Sequence, residues 1–441
     1  MSSVSSGVAS TATRSARLGW LDAVRGLGAI LVAFSHVSYL TLGGVREAAT
    51  GVLDIGKYGV LIFFLVSGYV IPMSLGRHAD LRRFWIGRIF RIFPALLASV
   101  VLMAATIAVG ATQLAEPLRA EPATAVLAHI SMLPELLGLP GLITVYWTLS
   151  YEMTFYLLVA GLFALGLRRH AYWSAPVLAL IALVIGPQLP VALVTPNSAA
   201  RAAVSALVLL LLVGVVAASC TRRLVLTTVA GVLSLAALAL PLLNSGAGPL
   251  TVQHTAWWGP LLLAIMFAGT VIYQLDTGLI SRRRGAAILV GTCAAIVSTM
   301  WLHRPAGPVN ATDFGTLLAT VLTFGAAYAL RHRRFPRSLA WLGAVSYSVY
   351  LLHQPMHFLL RLALQDVLPD LQQQSIGLQL LVAAFYFATV LGVSWLSYRY
   401  IEQPGQALGR QLLNRWPIPA TPPLPRQRTG ATQDDRRSAL R

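Results

Sequence analysis

Residues 202–219 read AAVSALVLLLLVGVVAAS, an apolar run without one charged side chain. A helix of about 20 such residues spans the hydrocarbon core of a bilayer. Similar runs recur along the whole chain, separated by short segments that carry arginine, proline or glycine. Helices satisfy all their backbone polar groups internally, as lipid requires. The pattern therefore predicts an all-α polytopic membrane protein.

The composition supports this class, because 56% of the residues are hydrophobic and only 11% are charged. Soluble domains carry about 25% charged residues, which they need to cover a water-facing surface. Run lengths predict a bundle of about ten to twelve transmembrane helices. The candidate spans are residues 20–40, 58–76, 92–112, 146–167, 174–195, 202–219, 224–243, 257–275, 286–302, 314–331, 339–360 and 377–399.

Arginine clusters occupy every second loop, for example at Arg168 and Arg169, whereas the loops between them carry isolated arginines with acidic residues such as Glu116 and Asp313. Basic clusters mark cytoplasmic loops. The alternation predicts a multi-pass protein of the cytoplasmic (plasma) membrane with both termini in the cytoplasm. It also accounts for the net charge of +18, so nucleic acid is not an expected partner.

Three regions follow from composition. Residues 1–17, rich in Ser, Ala and Thr, are expected to be a disordered cytoplasmic N-terminus, and residues 18–405 to form the transmembrane domain. Residues 406–441 are expected to be a disordered cytoplasmic tail, because much of this stretch is rich in Pro, Arg, Thr and Asp. Residues 113–145 form the longest external stretch; their apolar part, 125–139, is too short to span and predicts a re-entrant or interfacial helix.

Cys220 and Cys293 lie in separate apolar segments without the spacing of a metal site. No metal ligand set and no permanently bound cofactor are therefore predicted.

Ionisable side chains inside a span normally face a partner or a water-filled cavity. Arg25 and His36 are eleven residues apart, which puts them within about 20° of one helix face and about 16 Å apart along the axis. Glu152, about two turns into the fourth span, is expected at the depth of His36, where a carboxylate would polarise a histidine base. The alternatives are a structural ion pair between Glu152 and His36, a pair of Asp22 with Arg25, and a packing role for His36.

Arg88 and Arg91 lie in the most basic internal loop, beside the mouth of the third span, and share one helix face at i, i+3. Two guanidinium groups there suit a ligand rich in phosphate, whereas the alternative is a plain topology marker. The eleventh span adds Tyr347, Tyr350 and His353, which either support a substrate site or act as interfacial and packing residues.

Six stretches resemble, in the same order, the motifs of the integral-membrane acyltransferase-3 family. The first is an arginine followed by a histidine, Arg25 and His36. The other five are GVLIFFLVSGY at 59–69, RIFRIFP at 88–94, WTLSYE at 147–152, GAVSYSVYLLH at 343–353 and YRYIEQP at 398–404.

The resemblance implies transfer of an acyl group, acetyl or another short one, from cytoplasmic acyl-CoA to a hydroxyl acceptor. The implied acceptor is a sugar-containing molecule such as a cell-surface glycan, a lipid-linked saccharide or a macrolide. Within this family, His36 would be the catalytic base and Glu152 an acidic residue of the site. Arg25, with Arg88 and Arg91, would serve the acyl-CoA co-substrate.

Ser67 and Tyr347 match motif positions and are expected to support substrate binding, together with Tyr350 and His353. Backbone amides at a helix break near residues 67–69 are an expected site for the developing oxyanion. The rival interpretation is a twelve-helix proton-coupled transporter or flippase, whose intramembrane His, Glu and Arg would move protons. The sequence leaves open the acceptor, the acyl length, direct transfer against an acyl-enzyme, and the oligomeric state.

Overall fold

The computed structural model describes the backbone of residues 5–221, 223–244, 255–303, 311–366 and 370–415. Side chains are described within those ranges from Gly19 onward, except at Ala311. This part of the chain contains helices and turns but no strand, which confirms the predicted all-α class.

Seventeen α-helices in the described ranges, numbered along the chain, differ widely in length. They are α1 (Ser5–Val37), α2 (Gly43–Thr50), α3 (Ile55–His78), α4 (Leu81–Ala108), α5 (Glu116–Ala120), α6 (Pro122–Ile130), α7 (Trp147–Ala164), α8 (Ser174–Val184), α9 (Ser198–Cys220), α10 (Leu224–Ala236), α11 (Ala239–Leu243), α12 (Trp258–Asp276), α13 (Arg282–Leu302), α14 (Ala311–Ala329), α15 (Arg337–Leu364), α16 (Ile376–Ser397) and α17 (Gln403–Arg415).

Eight segments of the described chain are helical, long and apolar enough to cross a membrane. Each coincides with one of the twelve predicted spans. They are Gly19–Val37, Ile55–His78, Leu81–Ala108, Ser198–Cys220, Leu224–Leu243, Trp258–Asp276, Arg282–Leu302 and Ile376–Arg415.

The other four predicted spans correspond to α7, α8, α14 and α15. Helix α8 corrects the prediction for 174–195, because it has only 11 residues and is about 16 Å long. It ends at Val184, just before a 3-10 turn at Gly186–Gln188 that contains Pro187. Proline lacks the N–H that would continue the helix.

Helix α4 begins earlier than predicted. Its first turn is capped by Asp80, whose carboxylate accepts hydrogen bonds from the backbone N–H groups of Arg82 and Arg83 at 2.9 and 3.2 Å. Arg88 and Arg91 therefore lie inside this helix rather than in a loop. Their shared helix face, predicted from spacing, follows directly from this geometry.

Helix α1 packs between α3 and α15, and glycines allow the close approach. A Cβ atom on Gly343 would lie 2.2 Å from the carbonyl oxygen of Asp22, and one on Gly59 would lie 2.7 Å from the carbonyl oxygen of Gly28. Small residues at helix crossings give membrane bundles their tight packing. The core thus brings α1, α3 and α15 together along the face that carries Arg25 and His36.

The helix break expected near residues 67–69 is absent. Helix α3 continues from Ile55 to His78, and the hydroxyl of Thr270 donates to the carbonyl of Gly68 at 3.0 Å. The backbone amides of 67–69 lie within the helix and are not available for an oxyanion. That expectation was wrong.

Residues 113–145, which were predicted to be external, form the short helices α5 and α6 followed by a buried segment without α-helix, residues 131–140. Arg201 holds it in place by pairing with Glu121 at 3.2 Å and donating to the carbonyl of Gly138 at 2.8 Å. Asn244 donates to the carbonyl of Leu136 at 2.8 Å. Side chains of α9 and of the residue after α11 therefore satisfy backbone groups that no helix satisfies.

Helix α1 begins at Ser5 and α17 continues to Arg415, so helix extends into both stretches that were expected to be disordered. Gly405 and Gly409 of α17 lie against Phe90 of α4, and this packing continues the helical domain past residue 405. Residues 1–4 and 416–441 lie outside the described chain, and the predicted three-part division remains a prediction.

Candidate active site

Three arginines converge at one level of the bundle. Arg25 of α1, Arg88 and Arg91 of α4 and Glu152 of α7 line a space of about 50 Å³, here called the arginine chamber. Arg25 interacts electrostatically with Arg91 and Glu152. Three guanidinium groups and one carboxylate line the chamber, while Asp22 and Glu402 interact with Arg25 and Arg91 from outside the lining. The guanidinium groups in the wall suit an anionic ligand.

Arg88 is held by neutral groups. Its Nη2 donates to the hydroxyl of Ser74 at 2.9 Å. Its guanidinium lies 5.6 Å from the ring centroid of Phe84 and 5.4 Å from that of Tyr156. Aromatic faces attract a cation without cancelling its charge. The guanidinium is therefore oriented while its charge stays available to a ligand.

Glu152 does not lie beside His36. Its Oε1 accepts hydrogen bonds from the hydroxyl of Tyr156, one turn further along α7, and from the hydroxyl of Ser67 at 3.4 Å. Glu152 therefore lies in the wall of the arginine chamber instead of at the depth of His36, and it interacts electrostatically with Arg25. The start of α7 agrees with the prediction to within one residue, but Ile143 and Tyr146 just before it are buried, so the helix begins inside the bundle and not at its surface.

A second space of about 70 Å³, the middle chamber, continues from the first. Both chambers are lined by Arg25, Ser67, Glu152 and Tyr347. The hydroxyl of Tyr347 donates to the carbonyl of Ile92 at 3.2 Å, which fixes the ring between α15 and α4. The arginine and middle chambers therefore adjoin each other, and this row of adjoining spaces is here called the passage.

A third and larger space of about 360 Å³, the histidine cavity, contains His36 in its wall. It shares Val60 and Tyr350 with the middle chamber. The hydroxyl of Tyr350 donates to the carbonyl of Val145 at 3.0 Å and lies 2.7 Å from the hydroxyl of Thr148. Tyr350 therefore lies where the two spaces adjoin, and spaces that share lining residues follow one another from Arg88 to His36.

His36 is held by its Nδ1 atom, which lies 3.0 Å from the carbonyl oxygen of Val32 and 3.4 Å from Nε2 of His353. A carbonyl oxygen can only accept, so Nδ1 of His36 carries the proton. In the same way, Nδ1 of His353 donates to the carbonyl of Val349 at 3.1 Å, which leaves its Nε2 as an acceptor. The lone pair of His36 is consequently on Nε2, the arrangement a general base requires.

The residues that the sequence singled out thus form two groups. Arg25, Arg88, Arg91 and Glu152, with Ser67 and Tyr347, lie around the arginine and middle chambers, whereas His36, His353 and Tyr350 lie at the passage into the histidine cavity.

Two functional neighbours were missed. Tyr156 holds Glu152 and faces Arg88, and its i, i+4 spacing from Glu152 on one helix would have indicated this pairing. Glu402, of the YRYIEQP stretch, is buried. The hydroxyl of Ser348 donates to its carboxylate and lies 3.0 Å from the hydroxyl of Ser397. No spacing rule links residues 348 and 402, so only the fold brings them together.

The histidine cavity has an aromatic and charged rim. Lys57 pairs with Asp313 at 2.8 Å, and its Nζ lies 4.9 Å from the ring centroid of Trp258. The guanidinium of Arg46 lies 3.6 Å above the ring of Tyr39. Such surfaces combine flat apolar faces with hydrogen-bonding groups, which small polar ligands require.

The fold and site define a multi-pass membrane protein in which an arginine-lined chamber lies in a row of adjoining spaces with a pair of contacting histidines. The acyltransferase domain family matches residues 18–219 and 202–399, which together cover most of the sequence. The chain belongs to the acyltransferase 3 family of integral-membrane proteins. The resemblance seen in six short motifs is thereby confirmed.

Two curated relatives match parts of the chain. "Nodulation protein 10" of Rhizobium leguminosarum bv. viciae is 38% identical over 85 residues, which are 19% of this chain and 23% of that protein. "Acyltransferase MdmB" of Streptomyces mycarofaciens is 30% identical over 155 residues, 33% of this chain and 38% of that protein. The matches span less than half the length of either relative. No solved structure matches the chain significantly.

Proposed function

We propose that this protein transfers a short acyl group from acyl-CoA to a hydroxyl of a sugar-containing acceptor, with His36 as the general base. One observation carries the proposal: adjoining spaces that share lining residues lie in a row from the arginines to His36. Family membership supports the reaction class. A proton-coupled transporter, the rival interpretation, gains no support from family membership.

Acyl-CoA enters at the arginine chamber in this scheme. Its phosphates lie on Arg88 and Arg91, since a guanidinium binds phosphate oxygens with two parallel hydrogen bonds. Arg25 adds positive charge further along the passage, and Glu152 keeps Arg25 in place. The pantetheine arm then follows the passage towards His36, a distance of about 16 Å along α1 from Arg25.

The acceptor occupies the histidine cavity, with its hydroxyl at Nε2 of His36. His36 takes the hydroxyl proton while the oxygen attacks the thioester carbonyl. The carbon–sulfur bond then breaks, the ester forms, and the CoA thiolate receives the proton from His36. His353 accepts from Nδ1 of His36 and so stabilises the imidazolium that exists between these two proton transfers. His353 is a positioning residue, because it acts through His36.

The acceptor class is inferred from the rim of the cavity. Trp147 and Trp258 offer flat apolar faces, while Asp54 and Lys57 offer polar groups. A sugar ring presents an apolar face and several hydroxyls, and this combination of wall residues matches both. A glycan, a lipid-linked saccharide and a macrolide glycoside all share that chemistry.

The test uses the purified full-length chain in liposomes, supplied with acetyl-CoA or propionyl-CoA and a candidate glycoside. Release of free CoA thiol, together with an acylated acceptor in the mass spectrum, is the expected result. Thermal stabilisation by CoA is expected even without the correct acceptor, because binding to the native state alone raises stability. Folded protein that shows neither thiol release nor stabilisation, but moves a solute across the liposome, would support the transporter instead.

A further inference from the structure

A large apolar cavity lies beside the passage, between α4, α5, α6 and the start of α7. It measures about 590 Å³ and is lined by hydrocarbon side chains such as Leu96, Val100 and Leu118. For comparison, an engineered apolar cavity of about 150 Å³ binds benzene. The cavity therefore has ample room for a hydrocarbon chain.

The polar groups in this wall are already satisfied. His129 contacts the carbonyl of Ala125 through Nδ1 at 2.7 Å and accepts from the backbone N–H of Leu142 through Nε2 at 2.8 Å. The hydroxyl of Tyr146 lies 2.6 Å from that of Ser99. A guest in this cavity consequently meets hydrocarbon rather than free donors or acceptors, which disfavours a sugar or a phosphate.

The middle chamber is small by comparison. Its volume of about 70 Å³ is about one eighth of that of the apolar cavity. Phe63, Phe64 and Tyr350 form part of its wall. Because the end of the pantetheine arm shares this space, each further methylene of the acyl chain has less room in the middle chamber than in the apolar cavity.

One side chain lines both spaces. Leu149 of α7, which is 4% exposed, belongs to the wall of the middle chamber and to that of the apolar cavity. Its neighbours Tyr146 and Thr148 are each held by a hydroxyl contact. Leu149 has no polar anchor, so a hydrocarbon side chain alone separates the chamber from the cavity at this point.

We propose that Leu149 sets the upper limit on acyl length, and that the apolar cavity is a hydrocarbon-binding site which joins the acyl chamber when this side chain is shortened. The inference rests on the proposed function, since it requires the thioester to lie in the middle chamber. An acyl chain too long for the middle chamber could otherwise extend only into the histidine cavity, which is lined by Asp54 and Lys57. In the proposed function that cavity holds the acceptor, so a long acyl chain there would compete with acceptor binding.

The experiment compares the wild type with Leu149→Ala on acetyl-, propionyl-, butyryl-, hexanoyl- and octanoyl-CoA, measuring acyl transfer and thiol release. The wild type should favour two- and three-carbon donors. In the variant, the ratio of hexanoyl to acetyl kcat/KM should rise at least tenfold, since each buried methylene contributes about fourfold. The matched control is Leu96→Ala, which enlarges the same cavity without opening the partition and should keep the wild-type profile.

Each outcome decides between the claims. A folded wild type that turns over none of these donors would refute the proposed function. A wild type active on acetyl-CoA, with an unchanged chain-length profile in Leu149→Ala or with equal use of octanoyl-CoA from the start, would refute only the role of Leu149. If Leu149→Ala does not fold, Leu149→Val should shift the profile in the same direction and Leu149→Phe should disfavour propionyl relative to acetyl. Unchanged profiles in both would also overturn the inference.

Discussion

The arginine chamber and the histidine cavity differ in size, charge and construction. The first measures about 50 Å³ and concentrates Arg25, Arg88 and Arg91 around one carboxylate. The second measures about 360 Å³ and places one histidine at the end of a space with an aromatic rim. The arginine chamber thus suits a charged group, and the histidine cavity suits a larger ligand with flat apolar faces.

This difference indicates how two unlike substrates are kept apart. In the proposed function, the donor is recognised by its phosphates, far from the atom that reacts, whereas the acceptor is recognised close to its reacting hydroxyl. Binding energy from remote groups can then hold the thioester at His36. Changes in the arginine chamber should consequently alter the KM for the donor, and changes in the histidine cavity the KM for the acceptor.

The largest effect is expected from His36→Ala, which removes the proposed base where the two regions meet. Transfer should fall at least about 100-fold, because general base catalysis commonly contributes that much. Thermal stabilisation by CoA should remain, since the donor phosphates bind elsewhere. The control is His170→Ala, an exposed histidine. Near-normal transfer in folded His36→Ala protein would remove His36 from the mechanism.

Arg88→Lys combined with Arg91→Lys should raise the donor KM about thirtyfold, because lysine keeps the charge but loses the paired hydrogen bonds to phosphate. The acceptor KM should stay near that of the wild type. Arg83→Lys is the matched control, since Arg83 is exposed on the same helix. An equal effect in the control, or none in the double variant, would indicate that these arginines serve topology alone.

His353→Ala should lower kcat about tenfold, which corresponds to one hydrogen bond that supports a charged imidazole. His353→Gln should recover part of the loss, because its side-chain oxygen can accept from Nδ1 of His36. KM values for both substrates should change little. A purely structural role for His353 predicts instead that both variants lose thermal stability and that glutamine gives no rescue.

Trp258→Ala should give the smallest effect, an increase of about fivefold in the acceptor KM, which is the scale of one aromatic contact. Hydrolysis of acyl-CoA in the absence of acceptor should be unaffected. Trp173→Ala, an exposed tryptophan, serves as the control. A change in donor KM at Trp258 would contradict the separation of the two regions.

The sequence predicted the helical class and the residues of both regions, because each depends on local patterns. Runs of about 20 apolar residues define spans, and the spacing of Arg25 and His36 defines a face. The start of α4 was missed, since its first turns are basic and look like a loop. Asp80, which stands three residues before Arg83, was the available signal for a helix cap.

What depends on the tertiary arrangement was predicted less well. The depth of Glu152 was inferred by placing the start of α7 at the membrane surface. That start was predicted to within one residue, but the residues before it, such as Ile143 and Tyr146, are buried, so Glu152 lies deeper, beside Arg25. The contact of His36 with His353 joins residues 317 positions apart, which no local pattern encodes. That Leu149 lines both the middle chamber and the apolar cavity follows only from the three-dimensional structure.

The most direct test of the central claim uses liposomes with the protein in one known orientation and substrates on defined sides. Acyl-CoA is placed only on the side of Arg88, and a membrane-impermeant glycoside only on the side of His36. The account predicts an acylated glycoside outside and free CoA thiol on the donor side, both lost in His36→Ala. Transfer that requires donor and acceptor on the same side would contradict it.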